Sequence, residues 1–157
     1  MVQVNHEGVF RSRYVLEQVG REIATIKMSP WRESAEVIIE GKQTEFYREN
    51  FVNGDYVLKF RDKVYIKAKK PSFWKYEMII HASDHTFELK PCGLFTNSYE
   101  VYQDEIKKGE ISRTAWFKKN AKMDLPDDWP VVLKVFIFLL VIVLWDRTET
   151  NGGGGAG

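Results

Sequence analysis

Between residues 59 and 75 lie seven cations, Lys59, Arg61, Lys63, Lys67, Lys69, Lys70 and Lys75, opposed only by Asp62. Lysine and arginine side chains that converge on one surface offer charge-assisted N–H donors to a phosphate. Alternate residues of a strand share a face, so Lys67 and Lys69 fall together, as do Lys59, Arg61 and Lys63. Such a face is a candidate site for an anionic headgroup. The alternative is a solvated strand face whose lysines protect an edge from aggregation. His81, Asp84 and His85 are metal-ligating types, but a single hairpin turn gives an exposed and incomplete ligand set. Turn chemistry accounts for them, with the two histidines opposite one another across Ala82-Ser83-Asp84. Cys92 sits between Pro91 and Gly93 with no basic neighbour to lower its pKa, so it reads as an inert thiol. The sequence has no Gly-rich phosphate loop, no G-x-S-x-G elbow and no paired metal-ligand helix. The expectation is therefore a binding or regulatory role, with no catalytic residue, metal or cofactor.

The elements that must position these residues follow from composition and pattern. A chain of 157 residues fits one domain of about 100–200 residues. A composition that is 44% hydrophobic and 29% charged excludes a disordered chain. With 23 Lys+Arg against 22 Asp+Glu, the net charge of +1 excludes a global field drawing in nucleic acid. One cysteine excludes an intramolecular disulfide and fits a reducing compartment. No apolar secretory core precedes the domain, so a cytoplasmic location is expected. Residues 1–8 are expected to be a flexible terminus, and 148–157, rich in glycine, a disordered tail.

From residue 9 to 125 the sequence reads as short strands. Runs 9–17 and 21–28 flank Val19-Gly20, and 36–40 and 43–48 meet at Gly41-Lys42. Asn53-Gly54-Asp55 turns into 56–61, followed by 64–70, 73–81 and 86–90. Lys107-Lys108-Gly109 separates 98–104 from 110–117, and 121–125 closes the series. About eleven or twelve strands at a spacing of roughly 8–12 residues predict an all-β sandwich or barrel.

Residues 129–145 are apolar apart from Lys134. Asp127 and Asp128 can cap a helix, and Pro130 suits its first turn, so a helix is predicted over 129–146. Being apolar on every face, it needs lipid or protein all round. Pro130 to Trp145 is sixteen residues, about 24 Å of helix at about 1.5 Å per residue. A bilayer core is about 30 Å thick. Trp129 and Trp145 bracket the run as an aromatic belt would, so a tail-anchored membrane protein with a cytosolic β-domain is the alternative. A closed barrel of about twelve strands, however, has a lumen too wide for its own side chains to fill, and the helix is a plug of suitable size. Lys134 is then expected near a barrel mouth or beside an acidic partner.

The hairpin Tyr14-Val15-Leu16-Glu17…Gly20-Arg21-Glu22-Ile23-Ala24, with Asp124-Leu125-Pro126-Asp127-Asp128-Trp129 leading into 131–145, resembles the tubby C-terminal-like superfamily. That group includes tubby domains, phospholipid scramblases and LURP-one-related proteins, and the resemblance spans 9–147. It implies a closed antiparallel barrel of about twelve strands enclosing a C-terminal hydrophobic helix. It also implies phosphoinositide or other anionic phospholipid headgroups as partners, and hence a place at a membrane surface. The Pro-rich extension and post-helix residues of scramblases are not in this sequence, so lipid scrambling and calcium binding are not implied. By size the small LURP-one-related group fits best.

Overall fold

The computed structural model describes residues 1–8, 12–30, 33–50, 54–70, 76–93, 97–115 and 118–156. Twelve strands precede one helix: β1 (Val2–Glu7), β2 (Arg13–Gln18), β3 (Arg21–Met28), β4 (Ala35–Ile39), β5 (Lys42–Arg48) and β6 (Tyr56–Phe60) form the first half. β7 (Lys63–Lys69), β8 (Met78–Ala82), β9 (His85–Pro91), β10 (Ser98–Gln103), β11 (Ile106–Ala115) and β12 (Lys118–Asp124) form the second, followed by α1 (Val131–Ala156). Each strand pairs antiparallel with its chain neighbours, and β1 pairs with β12, which closes the barrel. The period-2 pattern sets which side faces in. Ala24, Ile26 and Met28 of β3 are buried, and across the register they meet Ile39, Val37 and Ala35 of β4.

The helix fills the lumen. Every residue from Leu133 to Trp145 is at most 5% exposed, a condition only an enclosed helix meets. Its contacts come from all round the ring: Phe138 packs on Tyr14 of β2 at 5.4 Å and Phe136 on Phe46 of β5 at 6.0 Å. Trp129, just before the helix, meets Phe87 of β9 at 5.1 Å, and Arg113 of β11 lies 4.3 Å above the Trp145 ring. The tail-anchor reading would put these same residues in lipid; the strands cover them instead. Among the described residues no helix is long and apolar enough to cross a membrane. Lys134 is 2% exposed and sits beside the end of β2, donating to Gln18 Oε1 at 3.3 Å and the Asp127 carbonyl at 3.4 Å. It thus lies near a barrel end as expected, with neutral oxygens as acceptors.

The two barrel ends differ. At one, two-residue turns at Val19-Gly20, Glu40-Gly41, Arg61-Asp62, Ser83-Asp84 and Asp104-Glu105 join the strands. The first residue of each is left-handed, with φ between 48° and 54°, the geometry that matches strand twist. At the other lie the longer connections 8–12, 29–34, 49–55, 70–77 and 92–97, and the helix leaves there through Asp146 and Arg147. Connections of this kind, held on a rigid scaffold, are where binding residues concentrate.

Four expectations change. Residues 1–8 are not loose: β1 occupies them, with Val2 and Val4 buried, and its short alternation was hidden by the polar residues between. Lys107-Lys108-Gly109 is not a turn but part of β11. Gly109 is required there because an added Cβ would lie 2.1 Å from the Asp124 carbonyl oxygen of the neighbouring strand. His81 and His85 are not opposite one another; the register pairs Ala82 with His85 and His81 with Thr86, so the histidines fall on different faces. The helix continues to Ala156, past the expected end at 146.

Candidate anion-binding site

The register distributes the seven expected cations rather than gathering them. Arg61 and Lys63 sit at the turn end, with Arg61 stacked on Phe60 at 5.2 Å. Lys69 is at the far end of β7, about 20 Å from Lys63 at about 3.3 Å per residue. Lys59, Lys67 and Lys69 all point outward, away from buried Leu58, Ile66 and Ala68. Acids interrupt that face: Lys59 lies opposite Glu45 in the register, and Lys67 bonds Glu49 at 2.9 Å. The Glu49 hydrogen bond and charge hold the Lys67 ammonium above its ordinary pKa. Lys75 lies outside the described residues. Lys70, just past β7, is half-buried at the loop end, with its Nζ 5.7 Å above the Tyr76 ring.

Around Lys70 the fold assembles a different set. Arg48 ends β5, Tyr56 begins β6, Glu33 precedes β4, and Arg147 follows the last buried turn of the helix. Arg147 Nη2 lies 2.8 Å from Glu33 Oε1 and donates to Tyr56 Oη at 3.0 Å. The Tyr56 hydroxyl donates to Glu33 Oε2, and Arg48 Nη1 is 3.9 Å from that oxygen. Arg48 also lies 5.1 Å above the Tyr56 ring, and its Nε donates to the Gly54 carbonyl at 3.1 Å. Gly54 must be glycine, since a Cβ there would meet the Asn50 backbone nitrogen at 2.2 Å.

Electrostatics show which charge is in excess. Burial, then the hydrogen bond and charge of Glu33, push the Tyr56 hydroxyl well above its ordinary pKa, so it stays a neutral donor. Burial, then the Arg147 and Arg48 guanidiniums, push the Lys70 ammonium down. Among the described residues, Arg48, Lys70 and Arg147 thus face the carboxylate of Glu33. The two guanidinium side chains are only 14% and 23% exposed, so water screens them weakly. The buried Nε of Arg147 has no hydrogen-bond acceptor among the described residues. An anion entering here would meet guanidinium forks and an ammonium already in place, the arrangement that favours phosphate or carboxylate.

The other candidates are chemically quiet. The Cys92 thiol donates to Glu100 Oε1 at 2.8 Å, and that bond, with burial, pushes its pKa up to about 11. It is a protonated thiol at neutral pH. His85 Nδ1 pairs with Asp104 Oδ2 at 2.7 Å across two turns, and Asp104 is held below the usual carboxylate range by His85 and the Thr86 N–H. Among the described residues no three His, Cys, Asp or Glu side chains gather as a metal-ligand set.

Of the predicted residues that the structure describes, only Lys70 belongs to the loop-end cluster. Arg48, Tyr56, Glu33 and Arg147 were missed. One signal for Arg147 was in the sequence: it is the first cation after the apolar run, so a plugged barrel must bring it to a mouth. The chain matches no known protein-family profile, no curated protein and no solved structure.

Proposed function

We propose that this protein is a non-catalytic binding module that recognises an anionic headgroup, with Arg48, Lys70 and Arg147 as the recognising cations. The reading rests on one observation: among the described residues, Arg48, Lys70 and Arg147 converge on Glu33, half-buried, where the helix leaves the barrel. It agrees with the resemblance to tubby-like domains, and phosphoinositide-bearing membranes are the proposed partner in the cytoplasm. The proposed site lies at the loop end, whereas acids interrupt the outer face of β6 and β7. Tyr56 and Glu33 act as positioning residues, since each holds Arg147 by a direct contact.

Vesicle flotation tests this. Phosphatidylcholine vesicles carrying a phosphatidylinositol phosphate should retain the wild type at low salt and release it as salt rises. Arg48→Gln and Arg147→Gln, each checked for folding by circular dichroism, should lower retention at least tenfold. Charge reversal at Lys67 and Lys69 should change it little. If reversal of those two lysines abolishes retention while the arginine variants bind normally, the outer strand face is the site and this reading is wrong.

A further inference from the structure

A cleft of about 760 Å³ opens where β3, β4 and β5 end. Its volume lies in the range of about 300–1,000 Å³ typical of small-molecule sites. Its inner wall is apolar: Met28, Ala35 and Phe46 are paired across the three strands, and Phe46 is 1% exposed. The Phe46 ring stacks on Tyr56 at 5.9 Å, and Tyr56 carries the hydroxyl that Arg147 and Glu33 share. The chain also joins the two places directly, since Tyr47 of the cleft precedes Arg48, and Ser34 of the cleft follows Glu33. The cleft and the cation cluster are therefore neighbours along one wall.

The outer lip is charged but balanced. Lys27, Glu36 and Glu45 lie in one register row across β3, β4 and β5, with the two glutamates directly paired, and Lys59 of β6 continues that row opposite Glu45. At that lip Lys27 and Lys59 flank the paired glutamates and offset their charge, whereas at the Arg48–Arg147 end the guanidiniums favour an acidic head. Polarity thus runs from a charge-balanced lip, through an apolar wall, to a cationic end.

We propose, resting on the anion-recognition reading above, that the ligand is an anionic amphiphile. Its single apolar chain lies in the cleft against Met28, Ala35 and Phe46, and its phosphate or carboxylate head lies at Arg48 and Arg147. Inorganic anions fill only the second half of this site.

Calorimetric titration with decyl phosphate, kept below its micelle-forming concentration, and with inorganic phosphate tests the proposal; decanoate and acetate repeat it for a carboxylate head. The wild type should bind decyl phosphate at least tenfold more tightly than phosphate, and Ser34→Phe, which fills the cleft, should bring that ratio toward one. If Ser34→Phe does not fold, the Met28 methyl resonance of the wild type decides, since it should shift with decyl phosphate and not with phosphate. Equal affinity for the two ligands, or an unmoved Met28 methyl, overturns the cleft assignment while leaving anion recognition intact. Failure of both ligands to bind overturns both.

Discussion

Arg147 and Arg48 meet although nothing in their local sequence pairs them. Arg48 closes a hairpin strand early in the chain, and Arg147 follows its last buried tryptophan, Trp145. The β5–β6 register sets Arg48 opposite Tyr56, and the direction of the helix brings Arg147 to the same hydroxyl. The basic run from Lys59 to Lys75 was legible as charge, but which cations converge depends on register and strand length, which are non-local. Residue chemistry was more legible at Cys92, whose low reactivity followed from the lack of a basic neighbour in its local sequence. The structure adds the cause, a hydrogen bond to Glu100 that favours the protonated thiol. The folded thiol pKa, about 11, is above its ordinary value of 9.0. This contribution to stability is therefore full below about pH 9 and is lost as pH rises through about 11. Cys92→Ser keeps a donor without titrating in this window. Urea midpoints between pH 8 and 11.5 should fall more steeply for the wild type than for the variant, and parallel curves would contradict the assignment.

At the scale of elements, alternation of apolar residues placed seven of the twelve strands to within a residue at each end, because hairpins are local, while the expected starts at 9 and 73 lie outside the described residues. The exceptions have physical reasons. β1 has only two fully buried apolar side chains, Val2 and Val4, and gains its place from pairing with β2 and distant β12. β11 contains a glycine that serves close strand approach instead of a turn, so Gly109→Ala should destabilise by about 1–3 kcal/mol in chemical denaturation, as overpacking does. A neutral substitution there would refute the close approach. The β2–β3 turn places Val19, a β-branched residue, at φ 52° while leaving it 94% exposed. Such residues are strained in the left-handed region, and Asn is tolerated there. Val19→Asn should therefore raise stability by about 1 kcal/mol, and a loss of stability would show that the valine has a packing role.

For the whole molecule, barrel and helix each make the other possible: the strands shield an apolar helix, and the helix fills a lumen the strands alone leave open. That mutual dependence was legible in the length of the apolar block and the number of strands. Truncation before Trp129 should accordingly prevent folding, seen as loss of near-ultraviolet circular dichroism and of slow-exchanging strand amides; a folded truncated barrel would refute the plug. The same architecture carries Arg147 to the loop end, with its Nε buried and without an acceptor among the described residues. An anion is proposed to complete this site. Following the Arg147 Nε–H resonance by NMR during a phosphate titration at low salt tests it most directly. A saturable shift of that proton together with Arg48 Nε–H is expected. An unmoved Arg147 resonance, with shifts confined to the outer lysines of β7, would contradict it.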